Sequence, residues 1–449
     1  MTLRDTALDI VLRLQDAGFV AYWVGGCVRD QWLGQEPQDY DVATSARPEH
    51  IERLFPKTFA VGKQFGVIIA VEQDHHFQIA TFRAESDYQD GRHPSQVTFS
   101  DAQADARRRD FTINGLFYDP VRQQLFDWVG GEADLRKRIV RTIGPPQERF
   151  SEDHLRLLRA VRFAAQLDFE IDPETMAAVQ ANAAKILTVS VERVREELIR
   201  LFRPEHASRG LDLLQESGLL QQILPEIAAT SHCEQSPDYH PEGSVYNHIR
   251  LMLSLLPADA SASLPWTVLL HDVGKVSTSE RDPATGSIHF YGHEKVSAEI
   301  AENLLQRLKF PRKQMDEIIA CVRQHMQFKD VPQMRKATLR RLLLRPTFPL
   351  ELELHRLDCL GSHNRLDNYQ FLVDQAEQLK QQPSIRPSLI TGDDLLALGL
   401  KTSPAVGALL AEIREKQLQD ELKTREEALA WAIARVTESR DSGKPNQAE

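Results

Sequence analysis

Apolar and polar positions in this chain follow two rhythms. Short apolar runs punctuated by glycine and turn residues dominate up to about residue 140, and helical spacing dominates beyond it. Thr6 to Ala17 places Ala7, Ile10, Val11 and Leu14 on one face and stops at Gly18, which predicts an opening helix. Val20 to Val24 reads as a strand that ends at Gly25-Gly26, and Cys27 to Leu33 as a short helix. Tyr40 to Thr44 reads as a second strand, and Pro48 opens a helix continued by His50 to Phe55. Gly66–Val71 and Phe77–Phe82 are predicted strands joined by Gln73–His76. These elements predict a small mixed sheet with helices on one side. Glu85 to Phe99, ESDYQDGRHPSQVTF, has no period and predicts a surface loop.

Past residue 140, Glu152 to Phe163 reads as one helix with Ser151 as its N-cap. Asp153, Arg156, Arg159 and Arg162 recur every third residue along it, so they form one row. Gln375 to Pro387 is glutamine- and proline-rich and reads as a linker, with helices expected from Gly392, from Pro404 and over Glu426–Thr437. The expected organisation is α+β: a mixed-sheet head over 1–140, a helical neck over 141–205, a helical body over 206–375 and a helical tail over 376–449.

Composition narrows the class. At 449 residues the chain exceeds one core, and 42% hydrophobic with 27% charged residues is ordinary for a soluble globular protein. A net charge of −11 argues against a protein that coats nucleic acid through a broad basic field, so local arginine clusters must do any RNA binding. Cys27, Cys233, Cys321 and Cys359 form no disulfide framework, which suits a reducing cytoplasm. The charged opening MTLRDTALDI and the lack of a long apolar run predict neither export nor a membrane span.

The chemistry starts at Gly25-Gly26. A glycine turn between strand and helix lets backbone N–H groups approach a phosphate, and the helix N-terminus favours an anion there. Arg29 lies one turn further on. Asp39 and Asp41, two apart on a strand, would point both carboxylates to one face and clamp a divalent metal beside that seat. VGGCVRDQWLG followed by QDYDVAT resembles the signature of the class II tRNA nucleotidyltransferase and poly(A) polymerase family, within the polymerase-beta-like superfamily.

Further motifs extend the resemblance. Arg107-Arg108-Arg109-Asp110-Phe111-Thr112-Ile113-Asn114 is similar to the family's RRDFTxN motif, which implies a phosphate contact for Arg109 and ribose contacts for Asp110 and Asn114. The 85–99 loop would be the flexible loop that helps such enzymes pass from adding C to adding A. The segment from Glu152 resembles EDxxRxxR, implying that Asp153 and Arg156 act as a protein template for the incoming base while Arg159 and Arg162 meet the triphosphate. The expected activity is template-independent, Mg²⁺-dependent addition of CCA, or part of it, to tRNA 3′ ends from CTP and ATP, with the tail helices gripping the tRNA and no role for DNA.

A second constellation lies in the body: His248, the adjacent His271-Asp272, His293, His325 and Asp358. Their order resembles the HD phosphohydrolase superfamily, which implies one or two divalent ions. Mixed imidazole and carboxylate ligands suit Ni, Co, Mn or Fe, and such a site implies hydrolysis of phosphoesters at RNA ends. Two alternatives stand beside this expectation. A bacterial poly(A) polymerase shares the head motifs, although Gln64 interrupts the basic pair usual there. A metal phosphohydrolase whose head only binds RNA is the other.

Overall fold

A computed structural model describes residues 2–60, 66–88, 94–236, 240–381 and 387–441. Gln64 therefore lies outside the described residues. The chain forms two compact units, residues 1–229 with 304–310, and residues 230–303 with 311–449.

The first unit opens with helix α1 (Leu3–Asp16), capped by a reciprocal pair between Thr2 and Asp5. Its buried face carries Ala7, Ile10, Val11 and Leu14, as the spacing predicts. Strand β1 (Ala21–Val24) leads into helix α2 (Gly26–Trp32), and β2 (Asp41–Thr44) leads into α3 (Pro48–Leu54). Strands β3 (Thr58–Phe59), β4 (Val67–Glu72) and β5 (His75–Thr81) follow. Gln73 and Asp74 both take left-handed φ, 51° and 61°, which turns β4 tightly into β5. With β8 (Phe117–Asp119) and β9 (Gln124–Phe126), the sheet runs β3-β4-β5-β2-β1-β8-β9. It is mixed because β2 pairs parallel to β5 while its other neighbours are antiparallel.

Two expectations change here. Asp39 is not on a strand, because β1 ends at Val24 directly opposite Asp41 and the chain then turns at Gly25, leaving no partner for a residue before Asp41. The stretch expected as a loop instead forms a two-stranded ribbon, β6 (Arg83–Tyr88) with β7 (Pro94–Phe99), separate from the main sheet. The polar composition of the segment and its lack of alternation give no strand signal in the sequence. Residues 89–93 of that stretch lie outside the described residues.

Helix α4 (Ala102–Arg107), helix α5 (Gly131–Lys137) and a short 3₁₀ turn, Thr112–Asn114, complete the head. Beyond it lie α6 (Pro146–Glu152), α7 (Leu155–Leu167), α8 (Pro173–Asn182) and α9 (Val191–Leu201). The single helix expected over Glu152–Phe163 is thus two. Asp153 breaks it in extended backbone (φ −145°, ψ 105°) and its Oδ1 accepts the Leu155 N–H at 3.1 Å, starting the second helix. Ser151 is no cap; its hydroxyl donates back to the Gln147 carbonyl within α6.

The second unit is almost wholly helical among its described residues. Its helices include Val245–Ser254, Leu264–Leu270, His293–Arg307, Arg312–Gln324 and Phe348–Gly361, with one small hairpin, Ser279–Arg281 against Ile288–Phe290. The helix Asp367–Lys380 occupies the first half of the expected linker, which is correspondingly shorter. The final helices Gly392–Ala397, Pro404–Leu418 and Arg425–Asp441 share a core of Ile390, Leu395, Val406, Ile413, Leu422, Ala428 and Ala432. Among the described residues, no helix is long and apolar enough to cross a membrane.

Candidate active site and metal centre

A cleft of about 750 Å³ in the first unit is lined by Gly25, Gly26, Arg29, Asp39, Asp41, Arg109, Asp110, Asn114, Asp153, Arg156, Arg159 and Arg162. The sheet, the RRDFTIN segment and the two helices after it converge there. All candidate residues of head and neck therefore face one space, although they are spread over 138 positions from Gly25 to Arg162 (162 − 25 + 1).

The glycine turn is shaped for approach. Gly25 has φ +74°, and a Cβ there would come within 3.0 Å of Arg109 Nη1. Its own N–H is held by the Leu116 carbonyl, so the turn is pinned to the strand region beside it. Cys27 in this turn is no nucleophile, because burial pushes its thiol up to about 12. Burial also pushes the Asp41 carboxyl up to about 6, the charge of Asp39 adds to this, and Arg109 offsets only part. A carboxylate whose charge is disfavoured by burial and by a neighbouring carboxylate fits a divalent cation held between the two.

Arg109 and Arg108 are both anchored by Asp105, which is 1% exposed and contacts Arg108 Nη2 at 2.7 Å and Arg109 Nη2 at 3.2 Å. The arginine run is therefore not a solvated face, Arg107 apart. Arg109 Nε is buried without a hydrogen-bond partner.

Behind these groups runs a continuous polar chain. Arg29 Nη1 donates to Asn114 Oδ1 at 2.8 Å, and Asn114 Nδ2 donates to Asp110 Oδ1 at 3.2 Å. Asp110 Oδ2 accepts Arg159 Nε and Nη2 at 2.9 and 2.6 Å. Burial opposes the Asp110 charge, yet Arg159, and Arg156 after it, hold its carboxyl at about 2. Arg29 is 5% exposed and also pairs with Asp30, so it braces Asn114 as well as lining the cleft.

Asp153 and Arg156 both line the cleft but do not pair with each other. Asp153 Oδ2 meets Arg193 at 2.7 Å. Arg156 is held by the Glu152 carboxylate and by the carbonyls of Arg149 and Arg108. Each is clamped from behind, leaving its remaining hydrogen-bonding capacity for the cleft. Arg162 is buried against Glu197 and Gln166, and burial pushes its guanidinium down to about 10, still charged at neutral pH. Sequence reasoning missed Asp105, Arg193 and Glu197. Arg193 and Glu197 are four apart on a helix, a spacing shared by many exposed pairs of no consequence.

In the second unit the histidines converge as well. His248, His271 and Asp358 form one potential ligand group, and Asp272, His293 and His325 a second. The imidazoles carry matching hydrogen bonds. Nδ1 of His271, His293 and His325 lies 2.9, 2.8 and 2.7 Å from the carbonyls of Val268, Phe290 and Val322 respectively. A carbonyl accepts only, so each Nδ1 bears a proton, and each neutral ring would offer its Nε2 lone pair inward.

The consequences show on the other side of the rings. His293 Nε2 and His325 Nε2 face each other at 3.1 Å, close enough to hold one ligand together with Asp272. His248 Nε2 and His271 Nε2 are buried beside carboxylates, His271 Nε2 lying 3.3 Å from Asp272 Oδ2. Asp272 Oδ1 lies 3.2 Å from His293 Nε2, and Asp358 Oδ1 lies 3.1 Å from His248 Nε2. Burial opposes the Asp272 charge, but His271 and Lys275, with Nζ at 2.7 Å, keep it well below the carboxylate range. A cluster of inward lone pairs and ionised carboxylates, costly when left empty in a dry interior, fits one or two divalent ions.

Comparison with known proteins agrees with this geometry. The family described as "Poly A polymerase head domain" matches residues 21–141, "Probable RNA and SrmB- binding site of polymerase A" matches 168–230, and "HD domain" matches 244–360. A CCA-adding enzyme of Geobacillus sp. (strain WCH70) is 45% identical over 214 residues, 47% of this chain and 53% of that protein. Like it, several curated relatives are matched over only about half their length. The CCA-adding enzyme of Levilactobacillus brevis is 32% identical over 433 residues, covering 96% of this chain and 97% of that one. The crystal structure of Bacillus stearothermophilus CCA-adding enzyme in complex with CTP superposes with a TM-score of 0.73 at 25% identity, covering 98% of this chain and all of that one. Matched along nearly its whole length, this chain belongs to the CCA-adding enzyme family.

Proposed function

We propose that this protein adds C, C and A to the 3′ end of tRNA from CTP and ATP, with no nucleic-acid template. One observation carries the proposal: the glycine turn, the aspartate pair, the RRDFTIN segment and the Asp153/Arg156 pair line a single cleft. Kinship with CCA-adding enzymes, one of them solved with CTP, supports it over poly(A) addition. The functional division is a head over 1–140, a nucleotide-selecting neck over 141–205, an HD body over 206–375 and a tRNA-contacting tail over 376–449, in a cytoplasmic protein.

Mg²⁺ held by Asp39 and Asp41 would neutralise the departing pyrophosphate and lower the pKa of the terminal 3′-hydroxyl. Gly25 and Gly26 let backbone N–H groups reach the triphosphate, with Arg109, Arg159 and Arg162 supplying positive field. Asp110 and Asn114, braced by Arg29, meet the ribose, whose 2′-hydroxyl both donates and accepts.

The base is chosen by Asp153 and Arg156. Cytosine and adenine each pair an exocyclic amino donor with a ring-nitrogen acceptor, which match a carboxylate and a guanidinium. Uracil and guanine reverse one or both positions and would leave a charge unpaired, which costs more than a match gains. Asp41→Ala tests the assignment: incorporation of labelled CTP should vanish while tRNA binding persists, and incorporation near the wild-type rate would contradict it.

The inward lone pairs of the second unit support a second activity. His248, His271, Asp272 and Asp358, with His293 and His325, would hold Ni, Co, Mn or Fe, which supplies an activated water for phosphoester hydrolysis. The substrates are 2′,3′-cyclic phosphates and 2′-nucleotides at damaged RNA ends, which must become free hydroxyls before extension.

A further inference from the structure

We infer that Glu242 is the positioning residue that turns His248 into a metal ligand, and that it does so jointly with His240. The inference rests on the histidine cluster being a metal centre, and it adds a residue that the ligand pattern does not include. Glu242 Oε1 lies 2.8 Å from His248 Nδ1 and 2.8 Å from His240 Nδ1. The His240 and His248 rings meet edge to face at 5.0 Å, so one carboxylate oxygen sits in the angle between them.

His248 differs from the other imidazoles of the cluster. His271, His293 and His325 are each oriented by a backbone carbonyl three residues earlier. His248 lacks that local partner. Its Nδ1 has the Gly361 carbonyl only at 3.3 Å, and Glu242 is the nearer acceptor. A carboxylate on Nδ1–H fixes the tautomer, aims Nε2 at Asp358 and raises the basicity of the imidazole toward a metal. His248 is 0% exposed, so nothing from solvent can replace this anchor.

Glu242 is itself held in place. The Glu242 carbonyl accepts from Asn247 Nδ2 at 3.0 Å, tying the segment to the first turn of the helix that carries His248. His240, whose Nδ1 meets the same Glu242 oxygen, braces the carboxylate from its other side.

The test uses the full-length protein and Co²⁺ alone as probe, read by equilibrium dialysis and by the intensity of the cobalt d–d bands. Templateless CTP addition to tRNA serves as the control for folding. Glu242→Ala should weaken the tight Co²⁺ site that Asp272→Ala abolishes by about 10- to 100-fold and alter its bands, with CTP addition unchanged. Wild-type affinity and bands in Glu242→Ala would overturn the inference. Should that variant be insoluble, Glu242→Gln decides: it keeps an acceptor and removes the charge, so several-fold weakening is expected and unchanged affinity contradicts the inference. Failure of the wild-type protein itself to bind Co²⁺ tightly would instead overturn the metal centre on which the inference rests.

Discussion

Arg159 places both Nε and Nη2 on one oxygen of Asp110, at 2.9 and 2.6 Å, joining helix α7 to the RRDFTIN segment 49 residues earlier in the chain. The other Asp110 oxygen holds Asn114, and Asn114 holds Arg29. The proposed triphosphate seat, ribose contact and base-reading helix are thus one hydrogen-bonded unit, and disturbing one member should move the others.

Asp110→Ala should be costly on two counts. It leaves Arg159 facing a partly buried gap, and breaking such a buried pair costs about 3 kcal/mol. It also removes an acceptor for the ribose. Thermal denaturation should show the stability loss, and kcat/KM for CTP relative to dCTP should fall toward unity.

Magnesium dependence should vary with pH. The Asp41 carboxyl is raised to about 6 by burial and by Asp39. A raised carboxyl means that ionisation disfavours the metal-free fold, a penalty absent well below pH 6 and fully present above it. Protons therefore compete with the metal below that pH. The Mg²⁺ concentration for half-maximal CTP addition should rise roughly fourfold from pH 7.5 to 5.5, and Asp41→Asn should raise the Tm of the metal-free protein at pH 7.5.

Arg193→Ala should loosen base choice. Arg193 clamps Asp153 at 2.7 Å, so its loss frees the carboxylate proposed to read the amino group. Single-turnover assays should show slower CTP and ATP incorporation together with measurable UTP incorporation. Unaltered selectivity would remove Arg193 from the account.

Gly25→Ala should damage the phosphate seat. The position has φ +74° and ψ −126°, a backbone region outside the left-handed helix that L-residues rarely adopt, so a side chain there is strained. The added methyl would also press on Arg109 Nη1. The KM for CTP should rise several-fold, while Gly18→Ala, at a positive-φ glycine with open space around it, should affect stability and leave KM alone.

The two activities should separate. Asp272→Ala should abolish hydrolysis of 2′,3′-cyclic AMP and leave CCA addition within about twofold of wild type, because Asp272 belongs to the second unit. Loss of both activities in a folded variant would contradict two independent centres.

Legibility in the sequence followed the physical range of each signal. The opening helix could be read because Ala7, Ile10, Val11 and Leu14 lie on one buried face. The tail helix that starts at Gly392 was equally readable from Thr391 and Asp394, which form a capping box. The candidate ligands of both centres could be listed from motif resemblance alone. What those residues touch could not. That Asp153 meets Arg193, and that Arg156 leans on the Arg108 carbonyl, depends on partners 40 and 48 residues away. The pairing of Arg83–Tyr88 with Pro94–Phe99 leaves no strand pattern in the sequence, because the two strands pair only with each other, outside the main sheet.

The central claim is that one cleft adds a defined CCA end without a template. Purified protein should be given tRNA that stops before CCA, with CTP alone, ATP alone or both, and the products resolved on a sequencing gel. The account predicts two added residues with CTP alone and three residues followed by a stop with both nucleotides. A long ladder with ATP alone, or no extension in any lane, would contradict it.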